Sequence, residues 1–181
     1  MKKTVITFGL ISGAVSSLMM LATVPFMDRI GFDKGYFVGY TAIVLSFMLV
    51  FFGIRSYRDN VGDGRISFGK AFCVGILITL ISCVFYVVTW EALYFTVMHD
   101  HMDKYSAYVI EKARTAGATD AAIQQKMAEM AKFKKMYENP FFNVAMTFIE
   151  PFPVGLVMTL ISALILRKKT NAQPGAVAAM G

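Results

Sequence analysis

Apolar residues fall in four long runs, over about 4–25, 36–54, 68–98 and 141–166, separated by shorter stretches rich in charge and turn formers. About 20 apolar residues at 1.5 Å rise each cross the hydrocarbon of a bilayer, so each run predicts a transmembrane helix. The third run is too long for a perpendicular crossing, and its outer end is expected to emerge or tilt. A polar turn (Asp28, Arg29, Gly31, Asp33, Lys34) joins the first two runs. A glycine-bearing loop over 55–65 joins the second and third.

Past Met98 the pattern changes. Met98, Met102, Tyr105 and Val109, then Ile123, Met127, Met130 and Tyr137, recur at helical spacing on a polar background. Gly117 breaks the two stripes apart and Thr119 reads as an N-cap. Two such arms can bury each other's stripe, which predicts an extramembrane antiparallel hairpin over about 99–138, its first arm continuous with the third span. Asn139 and Pro140 then start a new helix, as cap and first residue. Glu150-Pro-Phe-Pro153 interrupts that helix, and its two prolines predict a kink or break. The fold class expected is an all-α integral membrane protein, with four transmembrane helices and a helical hairpin between the third and fourth. It forms one domain over 1–169, followed by a disordered tail over 170–181.

Composition agrees. The chain is 56% hydrophobic and 17% charged, against about 45–50% and 25% for soluble domains, so lipid is the expected solvent. Behind Lys2 and Lys3 the first run resembles a signal peptide, but it is longer than a typical h-region and no A-x-A site follows, so it reads as an anchor. Gly9, Gly13 and Ser17 place small side chains on one face, where another helix can approach closely. Basic residues divide evenly between the two sides of a four-span topology. Those on the side of the termini (Lys2, Lys3, Arg55, Arg58, Arg65, Lys70 and Arg167 to Lys169) sit at span ends in short segments, where they bias orientation most. Both termini are therefore expected in the cytoplasm, with the basic surface against anionic lipid headgroups. That surface accounts for the net charge of +6 without nucleic acid.

Ionisable groups within spans are costly, which singles out Glu91 and Glu150. Counted from Lys70 and Arg167, they lie about 31 and 25 Å up their helices. At comparable depth, two carboxylates could bind a cation or share a proton. The structural alternatives are that Glu91 reaches interfacial water beside Trp90 and Tyr94, and that Glu150 caps backbone donors freed by the two prolines. His99 and Asp103 stand four apart, a divalent-metal spacing on a helix, but no further cluster completes a site. Asp59, Asn60 and Asp63 lack the spacing and final Glu of a calcium loop. Cys73 and Cys83 lie about 15 Å apart along one helix and read as packing residues. Nucleotide-binding and hydrolase motifs are absent, and no nucleophile stands with a base. No cofactor, metal or catalytic residue is expected, and hence no enzyme.

Three stretches resemble a known bacterial family: Ile66-Ser-Phe-Gly-Lys-Ala-Phe72, Tyr86-Val-Val-Thr-Trp-Glu91, and Glu150-Pro-Phe-Pro-Val-Gly155 with Leu160 to Lys168. The family is the one catalogued as domain of unknown function 4199. The resemblance covers nearly the whole chain and implies a small inner-membrane protein with the same order of spans, but no activity. The expected function is that of a non-enzymatic accessory protein, binding a protein partner or a second copy through its hairpin. The alternative is a homo-oligomeric ion, proton or small-solute carrier with Glu91 and Glu150 at its polar site.

Overall fold

The computed structural model describes residues 1–168; the predicted tail over 170–181 lies outside them. The described chain is helical almost throughout: α1 (Lys2–Thr23), a 3-10 turn (Val24–Phe26), α2 (Met27–Ile30), α3 (Phe32–Val61), α4 (Phe68–Thr96), α5 (His101–Thr115), α6 (Asp120–Tyr137), α7 (Pro140–Ile149) and α8 (Pro151–Leu166). Four segments are long and apolar enough to cross a membrane: Lys2–Phe26, Phe32–Val61, Phe68–Thr96 and Pro140–Leu166. Their outward faces carry Leu18, Phe37, Val84, Val88 and Ile165, each more than half exposed. Water tolerates no apolar belt of that extent, whereas lipid does.

The helix α4 lies at the centre, packed against α1, α3 and α8. Small residues set the distance between them. A Cβ at Gly13 would come within 2.6 Å of the Phe85 ring, and one at Gly9 within 2.8 Å of Ile81. One turn on, Ser17 Oγ and Thr89 Oγ1 share a hydrogen bond of 2.7 Å. The predicted small-residue face is thus the seam between α1 and α4. Across the bundle, Thr79 and Thr159 bond through their hydroxyls at 3.0 Å, beside Gly155. Ser12 donates to the Ser46 carbonyl at 2.9 Å and bonds the Ser82 hydroxyl at 2.9 Å. In lipid such bonds contribute about 0.6 kcal/mol each, so most of the cohesion comes from the close backbone packing that these small side chains permit. Around them Val50, Ile54, Ala71, Val74, Ile78 and Ala163 are fully buried.

Two connections differ from expectation. The loop predicted over 55–65 begins as the last turns of α3, which runs on to Val61. Tyr57 is buried on the face that also carries Ile54, Asn60 donates to the Ser56 carbonyl, and Arg55 pairs with Asp59 at i,i+4. These contacts keep a polar sequence helical. The first arm of the predicted hairpin is also not continuous with the third span. Val97 and Met98 N–H both bond the Leu93 carbonyl, closing α4, and α5 starts afresh at His101. As expected, Thr119 caps α6 through Ala122 N–H, Gly117 takes a φ of +78°, and Asn139 caps α7 through Phe141 N–H. The fourth membrane-length segment divides at Glu150, where Pro151 has no N–H to continue the ladder.

Candidate functional site

The division at Glu150 coincides with a change of neighbours. Below it α8 packs on α3 and α4, whereas above it α7 packs on α4 and α6. Between α3 and the upper part of the bundle lies a partly open cavity of about 340 Å³. It takes Met20 and Thr23 from α1, Met27 from α2, and Phe32, Tyr36 and Tyr40 from α3. Helix α4 adds Tyr86 and Trp90, and α7 adds Met146 and Thr147, with Glu150 at the break. The roof comes from His101, Met102 and Tyr105 of α5 and from Phe133 and Tyr137 of α6. Tyr36 and Tyr40 keep 46% and 44% of their surface exposed, so the cavity opens along α3.

Aromatic rings hold this roof in place. Phe32 stands 5.0 Å from Tyr108, 5.5 Å from Tyr105 and 5.8 Å from His101, ring centre to ring centre. Trp90 meets His101 edge to face at 5.2 Å, and Tyr94 meets Tyr137 at 5.3 Å. Such pairs contribute about 0.5–1.5 kcal/mol each beyond area burial. The ion pairs Asp33–Lys112 and Asp103–Lys134 also tie α5 to α3 and to α6. They are exposed and contribute less. Burial holds the His101 imidazole below its usual range, against a smaller opposing effect of Asp100. Burial likewise raises the Tyr137 hydroxyl.

Glu150 is the carboxylate on the cavity wall. Its Oε2 accepts a 2.9 Å hydrogen bond from the Tyr86 hydroxyl. It makes no side-chain cap at α8, which corrects the expectation that it serves donors freed by the prolines. Proline removes a donor and leaves carbonyls unpaired, and a carboxylate cannot bond a carbonyl. Glu91 is not among the residues lining the cavity. It is one residue, about 100° of helix, past Trp90, and its Oε1 is buried without a partner among the described residues. The same holds for the Trp90 indole nitrogen.

The His99 and Asp103 pair does not form. His99 lies in the linker before α5, and Asp103 is engaged by Lys134 of α6. No group of three or more metal-ligating side chains occurs among the described residues. At the opposite end of the bundle, Lys168 N–H bonds the Ile66 carbonyl at 3.0 Å. This brings the basic residues of 55–70 beside Arg167 and Lys168; Lys169 lies outside the described residues.

Most of the cavity residues escaped the sequence reading. The signal was present as polar aromatic residues four apart within apolar runs, Tyr36 with Tyr40 and Tyr86 with Trp90, and as the charged Glu150 four residues after Met146. Each pair shares a helix face. What sequence does not carry is that the three faces converge.

The family model described as "Protein of unknown function (DUF4199)" matches residues 7–168, and the chain belongs to that family. No curated protein and no solved structure matches it.

Proposed function

We propose that this DUF4199 member is a non-enzymatic, multi-pass membrane protein of the bacterial inner membrane, and that it binds a small membrane-soluble molecule beneath its helical hairpin. The cavity carries this reading. Its walls are aromatic and methionine side chains with few polar groups, the make-up of sites that bind small molecules. Both termini are assigned to the cytoplasm, where the basic surface of 55–70 and 167–168 meets anionic headgroups. The hairpin, α5 and α6, then stands on the outer side as a roof. Carriage of the molecule across the membrane is the natural extension, with Glu150 rather than a Glu91–Glu150 pair as the polar element.

The test is native mass spectrometry of the full chain released from membranes, alongside Gly39→Phe. Gly39 lines the cavity, and a Cβ there meets nothing within 4 Å, so a larger side chain can leave the backbone at this point without a clash. The unaltered chain should retain one small molecule per copy, and the variant should lose it while eluting normally. A chain that retains nothing, or a variant that retains the same molecule, removes the proposal.

A second reading, the accessory protein, draws on the exposed methionines of α6. Met127 and Met136 are 43% and 40% exposed, on opposite sides of the helix, and methionine side chains adapt readily to partners. Under this reading Met127→Glu with Met136→Glu abolishes association with a partner or a second copy while insertion persists. Association that survives both changes excludes α6 as the surface.

A further inference from the structure

The charge balance of the cavity specifies more than that it binds something. Among the described lining residues Glu150 is the only carboxylate, and none is a Lys or Arg. Tyr86 donates to Oε2, one of the several acceptor positions that a carboxylate offers. A carboxylate at membrane depth is costly unless a positive charge joins it or it takes up a proton.

A divalent inorganic cation does not suit the surroundings, because the described residues offer no cluster of three His, Cys, Asp or Glu side chains to replace its water. An anion meets the negative charge of Glu150 and, among the described lining residues, no Lys or Arg to offset it; burial disfavours the charged form of His101, the imidazole in the roof. A neutral apolar molecule fills the space, but it leaves the carboxylate to take up a proton and brings no charge to meet the aromatic walls. The walls favour a fourth class. Tyr36, Tyr40, Trp90, Tyr105 and Tyr137 line the same space, and aromatic rings attract cations to their faces, most strongly where water is excluded. Attraction by ring faces does not require the ligand to give up a tight hydration shell when its charge is spread over carbon.

Resting on the reading of the cavity as a binding site, we propose that its ligand is a lipophilic organic cation. The positive centre lies against Glu150 and the tyrosine and tryptophan faces, and its apolar groups fill the methionine-lined remainder. The opening beside Tyr36 and Tyr40 on α3 admits such a molecule from the bilayer surface, where amphipathic cations accumulate.

Two ions of nearly the same size and shape and opposite charge make the test: tetraphenylphosphonium and tetraphenylborate. Each is titrated against the full chain in detergent, following the fluorescence of Trp90, the single tryptophan, which itself lines the cavity. Tetraphenylphosphonium should change the emission saturably at one ion per chain, at least about tenfold more tightly than tetraphenylborate. Glu150→Gln keeps an acceptor for Tyr86 and should reduce that preference to near unity. Saturable binding of both ions with equal affinity overturns the cation assignment but leaves the cavity as a binding site. Saturable binding of neither, with no small molecule retained in native spectra, removes the underlying reading as well. A preference that survives in a folded Glu150→Gln variant overturns the role of the carboxylate. The two ions compared on the unaltered chain decide the matter even if that variant fails to fold.

Discussion

The half of the four membrane-length segments nearer Lys2 and Leu166 and the half nearer α5 and α6 are built on different principles. In the first, Gly9, Gly75 and Gly155 let helices pack closely, and serine and threonine hydroxyls bond across the seams. In the second, α1 and α4 stay closed through Gly13 and the Ser17–Thr89 bond, but Tyr36, Tyr40, Tyr86 and Trp90 line a cavity on the side of α3. Lipid offers no hydrophobic reward for bringing helices together, so side-chain size decides where they close and where they separate. The largest test of this contrast exchanges the two principles at single positions. A Cβ at Gly155 lies 2.4 Å from Thr79 Cγ2 and 2.9 Å from Phe47 Cζ, both on well-packed helices. Gly155→Val is expected to cost about 3 kcal/mol or more through overpacking. That lowers the unfolding temperature by about 6 °C or more, read from loss of the monodisperse peak after heating. Gly39→Phe, a far larger addition on the open side, is expected to shift it by no more than about 2 °C. Equal sensitivity at the two positions would show that the halves are packed alike.

The proline break is where one half gives way to the other, and restoring it tests whether it creates the opening. In a continuous helix, residue 151 would donate to the Thr147 carbonyl, a bond Pro151 cannot make. Pro151→Ala permits it and should draw α7 into line with α8 and toward α3. Tetraphenylphosphonium affinity is expected to fall several-fold, with stability changed by no more than about 1 kcal/mol, because the regained bond is set against the chain entropy that proline removes. Unchanged affinity would mean that the aromatic side chains alone hold the cavity open.

The two halves also differ in how far sequence discloses them. Gly9, Gly13 and Ser17 announce their seam because a helix face is a property of one segment, and the partner contributes only its proximity. The four apolar runs, the caps at Thr119 and Asn139 and the break at Glu150 are local in the same sense. The cavity is not. Its wall depends on the rotational phase of α3, α4 and α7 relative to one another, which no single segment encodes. For that reason Glu91 and Glu150 look equivalent by depth, yet only Glu150 lines the cavity. The run-on of α3 to Val61 and the break after Thr96 were hidden for a related reason. Burial of Tyr57 sustains one, and docking of His101 onto Trp90 and Phe32 positions α5 after the other. Both are tertiary contacts overriding local pattern.

The smallest expected effect separates the roof from the bundle beneath it. His101 lies on the cavity side of α5, against the rings of Trp90 and Phe32, and burial holds its imidazole below the usual value of 6.5. Lys104 acts in the same direction and Asp100 against it, both less than burial. With α5 released, the imidazole returns to water and binds a proton more readily than when docked. Docking therefore keeps its full stability above about pH 6.5, weakens as pH falls below that value, and levels off once the docked imidazole is also protonated. Hydrogen exchange along α5, followed from pH 7.5 downward and corrected for the intrinsic pH dependence of exchange, should show protection falling over that window. Protection in α1 and α4, whose seam carries no titrating group in that range, should stay flat. His101→Gln should remove the dependence on α5 without altering the seam. Protection that rises on acidification would show that Asp100, not burial, governs the imidazole, and that the roof is fastened by charge rather than by its rings.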